Sequence, residues 1–231
     1  MFSVTAYTCV TGGFDKLDVI TAGKPKNRED TSFVIYTDAV QKPEERGFWE
    51  VRPVEWKHPS NPRRTARWHK TNSHLLIDSK FSLWFDGALQ FKNGTDIVQM
   101  LHDGLAVEKG TAKYALASFK HPQRVCVYQE NTACARMGKD DPQVMQEQVD
   151  RYRHEGYPPY NGMVETSCVI RYQNLDVTKF NEHWWREIEH GSLRDQLSFN
   201  YCCWRLGLEY GHLPGRRDVS PYFTFHPHKR K

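Results

Sequence analysis

The chain has 231 residues and a formal net charge of +4 with eleven histidines uncounted; 39% of it is hydrophobic, 26% charged and 13% aromatic. That length supports one core, or two small ones, without disulfides or structural metals. The composition is that of a globular protein and excludes a disordered chain, a collagen and a coiled coil.

The β-rich run from Phe2 to Val10 predicts a strand ending in the turn Thr11-Gly12-Gly13-Phe14-Asp15. After a polar loop over Lys24–Asp30, Phe33-Val34-Ile35-Tyr36 reads as a strand buried on both faces and ending at Thr37-Asp38. Residues 41–61 are Pro-rich and irregular, with Phe48 to Arg52 able to pair as a strand, and Pro62 opens a basic helix running to Lys70. Phe81–Phe85 predicts a strand that ends at Asp86-Gly87; Ala88–Phe91 lead to the turn Lys92-Asn93-Gly94, and residues 95–102 read as helix. A strand over Ala115–Phe119 is closed by Lys120-His121-Pro122, and helices are expected over 124–137 and 142–155. Glu165–Arg171 is a strand, 177–190 and 193–206 are helices, and Tyr222–Phe225 is a last short strand before a basic tail at 226–231. Strands alternating with helices predict an α/β fold: a mixed, mostly parallel sheet with helices on both faces. No repeat or linker divides the chain, so residues 1–231 read as one domain.

No stretch approaches the roughly 18 uncharged apolar residues of a membrane helix. The opening Met1-Phe2-Ser3-Val4-Thr5-Ala6-Tyr7-Thr8 lacks the basic and long apolar regions of a secretory signal. Cys9, Cys126, Cys134, Cys168, Cys202 and Cys203 form no CxxC and read as buried thiols of a reducing compartment, so a cytoplasmic location is expected. No HExxH, zinc-finger spacing, G-x-S-x-G elbow, P-loop or GxGxxG is present, which leaves zinc hydrolase, serine hydrolase, kinase and dinucleotide-binding readings without support.

In an open α/β sheet, ligands sit beyond the carboxyl ends of the strands. Those ends carry Thr11-Gly12-Gly13, Thr37-Asp38, Asp86-Gly87 and His121-Pro122, which are also ordinary strand-to-loop residues. A carboxylate at Asp86 is placed to hold a divalent cation against a diphosphate, although Asp-Gly is also a common turn pair. Arg63, Arg64, Arg67 and Lys70 fall at helical spacings, so several share a face that can clamp phosphates or simply meet solvent. Asp195 sits at a helix start, where the macrodipole favours an anion. It is a candidate general base only if it points into the cleft. The small charge excess keeps an anionic ligand in view. Arg216, Arg217, Lys229, Arg230 and Lys231 leave nucleic-acid phosphate contact conceivable but unsupported beside a solubilising tail.

The series Tyr7–Asp15, Tyr36-Thr37-Asp38, Pro62–Lys70 and Ser82–Gly87 resembles a glycosyltransferase-like family seen in bacterial polysaccharide clusters and in plant proteins linked to alkaline ceramidase activity. The similarity continues through His121–Tyr128, Tyr157-Pro158 with Gly162 and Glu165, Trp184-Trp185 and Arg194–Phe199, in the family's order over roughly residues 4 to 200. The resemblance implies a compact type-A (GT-A) glycosyltransferase domain, with donor binding in about 1–120 and the acceptor side in about 121–225. It places Thr8, Thr11 and Asp38 around the base and ribose of a nucleotide-sugar donor. Arg64, Arg67 and Lys70 would face that donor, with Asp86 and His121 in the same site. It implies Mn²⁺ or Mg²⁺ held by Asp86 and His226, and Asp195 or Glu165 handling the acceptor hydroxyl. The pattern departs at Ala88, where a second metal-binding carboxylate would stand.

Two readings follow: a metal-assisted glycosyltransferase acting on a glycan, lipid-linked sugar, small molecule or modified nucleic acid, and a non-catalytic nucleotide- or glycan-binding module on the same fold. A hydrolase lacks any nucleophile or zinc constellation.

Overall fold

The computed structural model describes residues 3–26 and 28–227. Met1, Phe2, Asn27 and the tail residues His228, Lys229, Arg230 and Lys231 lie outside the described residues, so the first residue of the expected opening strand and most of the basic tail are not placed. The chain runs β1 (Val4–Val10), α1 (Leu17–Thr21), β2 (Thr31–Thr37), β3 (Glu44–Arg46), β4 (Trp49–Pro53), α2 (Pro62–Thr71), α3 (Ser73–Leu76), β5 (Phe81–Phe85) and β6 (Leu89–Phe91). It continues with α4 (Ile97–Leu105), β7 (Val107–Glu108), β8 (Thr111–Ala112), β9 (Leu116–Lys120), α5 (Val127–Arg136), α6 (Pro142–His154), β10 (Val164–Tyr172), α7 (Leu175–His190), α8 (Gln196–Leu206), β11 (Tyr210–Leu213) and β12 (Phe223–Phe225).

Side-chain caps start four of the helices. Asn61 accepts from Arg64 N ahead of α2, Asp96 from Gln99 N ahead of α4, Asp141 from Gln143 N and Val144 N ahead of α6, and Asn174 from Val177 N ahead of α7. Each satisfies amide groups that the first turn leaves orphaned, and Pro62 and Pro142 add a preset φ where no amide is needed.

Eight strands form one sheet in the order β11-β9-β10-β5-β1-β2-β4-β3. The pairs β1–β2, β1–β5, β2–β4 and β9–β11 are parallel, whereas β10 runs against both β5 and β9, and β3 against β4. The carboxyl ends of β1, β2, β4, β5, β9 and β11 therefore lie along one edge, joined there by the amino end of β10. Alternation splits the side chains cleanly between two cores. Val4, Ala6, Phe81, Leu83 and Phe85 face Ile20 of α1, Met100 and Leu101 of α4, and Phe91 and Phe223 of the small β6–β12 sheet. Tyr7, Cys9 and Trp84 face Val127, Val149, Phe180, Trp184 and Phe199 from α5, α6, α7 and α8. All six cysteines are buried free thiols.

β11 was not foreseen, because Tyr-Gly-His-Leu is short and carries a glycine where a strand residue would pack. Its glycine is the reason it pairs: a Cβ on Gly211 would fall onto the carbonyl oxygen of Gly104, so only glycine lets α4 lie against the edge strand. Gly211→Ala should cost about 2 kcal/mol by overpacking, read as a lower urea midpoint at unchanged m. Gly104→Ala, whose Cβ would have side-chain carbons of Leu213, Ala117 and Ile170 as its nearest neighbours at 3.1 to 3.3 Å rather than a backbone carbonyl, should cost less.

Candidate active site

Four of the expected residues converge at the shared edge. α2 runs back from the carboxyl side of the sheet, and residues three apart share a face, which points Arg67 and Lys70 at the end of β5 and the start of α8. Lys70 is fully buried, with Nζ 2.5 Å from Asp195 Oδ2 and 3.2 Å from Asp86 Oδ1. Arg67 spans the same two carboxylates, 3.5 Å from Asp195 Oδ1 and 3.8 Å from Asp86 Oδ1. Two indoles line this knot. Trp84 donates to Asp86 Oδ1 at 2.9 Å, Trp184 donates to the Asp195 carbonyl at 3.0 Å, and Lys70 Nζ lies 5.7 and 6.0 Å from their ring centres.

The two aspartates differ. Asp195 is buried and also accepts from Thr166 Oγ1 at 2.9 Å. Burial alone would raise its carboxyl, but Arg67 and Lys70 outweigh that and hold it well below the usual carboxylate range. Asp86 keeps 31% of its side chain exposed, and its donors among the described residues meet Oδ1.

The amino end of β10 supplies a third carboxylate. The register of β10 against β9 shifts between Glu165 and Val169, and Ser118 Oγ, which donates to the carbonyls of both Glu165 and Cys168, braces the irregularity. Such bulges re-aim side chains beside functional sites. Here Thr166 reaches Asp195, Ser167 Oγ donates to Glu165 Oε2 at 2.6 Å, and Arg217 stands 3.6 Å from Glu165 Oε1. Burial raises the Glu165 carboxyl, only partly opposed by Arg217 and Ser167.

At the ends of β1 and β2, Asp38 Oδ2 accepts from Gly12 N at 3.0 Å and Thr11 Oγ1 donates to Pro62 O at 2.7 Å, tying the first two strands to the start of α2. Gly12 has φ +63° and a Cβ there would press on Pro62 at 2.8 Å, so this turn requires glycine. Thr8 is wholly buried within β1, its hydroxyl unpartnered among the described residues.

Other expected residues sit elsewhere. Arg64 turns away from the knot and donates to the carbonyls of Ile188 and Glu189 at the end of α7. His121 ends β9 and accepts on Nδ1 from Gln123 N and Arg124 N, with Nε2 3.5 Å from buried Glu130; burial lowers its pKa, partly offset by Glu130. His226 lies opposite Ala88, donating its amide to that carbonyl at 2.8 Å, and its ring bonds Gln90. These residues do not by themselves complete a Mn²⁺ or Mg²⁺ site. Asp86 Oδ1 already faces an amine, a guanidinium and an indole N–H, and no group of three His, Cys, Asp or Glu able to hold a metal occurs among the described residues.

The structure adds Arg194 and brings Arg63, already read on the basic helix, near it. Desolvation, together with the nearby Arg67 and Arg194, lowers the pKa of Arg63, so cations here are held close together. Arg194 is mostly buried with Nε unpartnered among the described residues, and its NH2 lies 3.9 Å from Glu130 Oε1. The Ser192–Arg194 turn that presents Asp195 is anchored by Asp140 Oδ2, which accepts from Ser192 Oγ and Leu193 N, both at 2.6 Å. Only the adjacency of Arg194 and Asp195 hinted at this in the sequence.

Residues 7–213 match the TOD1/MUCI70, glycosyltransferase-like domain. The chain belongs to this family. A curated relative, the probable hexosyltransferase MUCI70 of Arabidopsis thaliana, is 30% identical over 163 residues, 67% of this chain and 27% of the relative. The chain thus spans about a quarter of that relative's length. Every residue of the knot lies inside the family match, as does Glu165, while His226 lies beyond it. No helix among the described residues is long and apolar enough to cross a membrane.

Removing one partner of a buried ion pair leaves the other charge uncompensated, so Asp195→Asn should cost about 3–5 kcal/mol in urea denaturation. Asp86→Asn, at a partly exposed carboxylate, should cost less than about 1 kcal/mol. The sign with pH follows from the depressed Asp195 pKa: its contribution is present above the ordinary aspartate value and is lost as pH falls through the folded-state value. The wild type should therefore lose more stability than Asp195→Asn on acidification below pH about 4.

Proposed function

We propose that this chain transfers a hexose from a nucleotide-sugar donor to an acceptor hydroxyl, with the leaving diphosphate neutralised by side-chain cations. The observation that carries this reading is the knot of Lys70, Arg67, Asp86 and Asp195 at the carboxyl edge of a mostly parallel sheet. Family membership supports glycosyl transfer, and the relative's name supports a hexosyl group.

On this reading the nucleoside lies over the ends of β1 and β2 beside Thr11 and Asp38, and the diphosphate meets Arg67, Lys70, Arg63 and Arg194. Clustered cations repel one another, and an anion relieves that repulsion. Preorganised charge aimed at the leaving group is worth most in a site shielded from water. Asp195 acts as the counter-ion that fixes Lys70, since a carboxyl held so low is a poor proton acceptor. Glu165, with its pKa raised, is the better base. The acceptor O–H proton passes to Glu165, the acceptor oxygen bonds the anomeric carbon, and the anomeric C–O bond breaks with its electrons passing to the diphosphate.

A binding module that has lost turnover is favoured by one observation, the buried Ala88 where a second carboxylate would stand. Thermal shift with UDP, GDP, CMP, dTDP and their sugars, with EDTA and with Mn²⁺, followed by assay of sugar release, separates the two. A nucleotide at 100 times its Kd stabilises by about 2.7 kcal/mol. One nucleotide should do so in EDTA, and release of sugar from its conjugate should follow. A shift that requires metal would overturn neutralisation by Lys70 and Arg67, and binding without release would favour the module.

Glu165→Gln should lower turnover about 10²–10⁴-fold with nucleotide binding unchanged. In the wild type, kcat/KM should fall as pH drops through a value above that of an ordinary glutamate. A carboxyl raised by burial destabilises the fold once ionised, so Glu165→Gln should also melt higher than wild type at pH 7. Lower melting would contradict that account.

A further inference from the structure

A second concavity opens on the same edge of the sheet. It has a volume of about 520 Å³, within the range of about 300–1,000 Å³ typical of small-molecule sites, and its lining includes Tyr128, Gln129, Thr132, Arg153, Tyr157 and Tyr160. One wall is the first turns of α5, which begin just after β9 ends. The other is the loop that carries the chain from α6 into β10, so the cavity lies on the carboxyl side of the strands. Tyr160 is five residues from Glu165, a separation of at most about 18 Å along the chain.

Three features define what the cavity can take. It presents an aromatic ring: Tyr160 is 67% exposed, whereas Tyr157 is buried. The loop is braced, because Tyr128 Oη donates to the Tyr157 carbonyl at 2.7 Å and Tyr157 N donates to Tyr152 O at 2.9 Å. Tyr160 also holds a left-handed backbone at φ +59°, unusual for an aromatic residue. An exposed ring kept in a costly conformation by an otherwise tied loop is a mark of function rather than packing. Third, the one cation in the lining is already compensated: Arg153 NH1 lies 2.5 Å from Asp150 Oδ1, and its guanidinium stacks 4.6 Å over Tyr128. The cavity thus offers the open ring of Tyr160 and hydrogen-bonding groups, with its one cation paired. That suits the apolar face and hydroxyl rim of a neutral pyranose better than a phosphate or a uronate.

We propose that this cavity is an acceptor subsite that binds neutral hexopyranose units of a glycan, with a sugar ring lying against Tyr160. The proposal rests on the transferase reading for the direction of the chain towards Glu165, while binding itself does not require turnover.

Saturation-transfer NMR on the intact protein tests it with cellotetraose, maltotetraose and laminaritetraose as neutral probes, tetragalacturonate as the acidic one, and UDP as the nucleotide. At least one neutral tetrasaccharide should bind the wild type, with tetragalacturonate at least tenfold weaker. Tyr160→Ala should weaken the neutral glycan at least tenfold, Tyr160→Phe should retain it because the ring remains, and UDP binding should not change in either. The exposure of Tyr160 makes both variants fit to fold, and circular dichroism verifies it. No neutral glycan bound by the wild type, equal binding by Tyr160→Ala, or loss of UDP with that variant overturns the proposal, the last by giving the cavity to the nucleobase. A protein that binds glycan through Tyr160 but never releases sugar from a donor upholds the subsite and refutes the transferase. One that transfers sugar with KM for acceptor unmoved by Tyr160→Ala does the reverse.

Discussion

A fully buried amine must be matched by carboxylates within a few ångströms, since removing an ion from water costs several kcal/mol. Lys70 imposes that constraint on this fold. Its partners come from two other elements, Asp195 at the entry to α8 and Asp86 at the end of β5, and Thr166 of β10 holds the first of these. The charge is compensated only when α2, β5, β10 and α8 are all docked. The same condition assembles the edge where the family's chemistry is expected, so folding and preorganisation of the site are one event.

Beneath the knot lies a second buried cation with a different solution. Arg171 is wholly inaccessible, and its hydrogen-bond partners among the described residues are neutral: the Lys70 carbonyl at 2.7 Å, Asn181 Oδ1 at 3.0 Å and the Tyr7 hydroxyl at 3.3 Å. Burial pushes its pKa down. A guanidinium without a carboxylate is a costly device, and its geometry indicates what it secures. It grips the backbone of the last turn of α2 from the sheet side and α7 through Asn181, so α2 cannot slide along β1. Lys70 is thereby aimed along one line, as a site that must hold its groups to within a fraction of an ångström requires.

Much of this was legible in the sequence, for identifiable reasons. The apolar run Phe81–Phe85 announces a strand, Pro62 announces a helix start, and strand ends in an α/β sheet locate the edge. Convergence of Lys70, Arg67, Asp86 and Asp195 was not legible, because it depends on where α8 docks, which no local pattern encodes. The basic helix illustrates the limit. Arg64 and Arg67 are three apart and look equivalent, yet the tertiary neighbour of one is the carbonyl end of α7 and that of the other is a pair of carboxylates. The bulge that re-aims Glu165 left no signal beyond the polar Thr166-Ser167 in an apolar strand, and the pairing of β11 was hidden by a glycine that reads as a breaker but works as a contact.

The three carboxylates of the edge show how one fold separates roles by environment. Asp195 is buried among cations and is locked ionised, which suits a fixed counter-ion and nothing that must take a proton. Glu165 is buried, and Arg217 and the Ser167 hydroxyl only partly offset that, so its proton is held more tightly than on an ordinary glutamate. Asp86 has one oxygen committed to the knot and about a third of its side chain exposed (31%). A dication on the remaining oxygen of Asp86 would sit beside Lys70 and Arg67, whose positive charges oppose it. If an anionic diphosphate arrives instead, it meets cations already positioned by the protein, and the charge that develops as the sugar departs needs no further reorganisation to be stabilised.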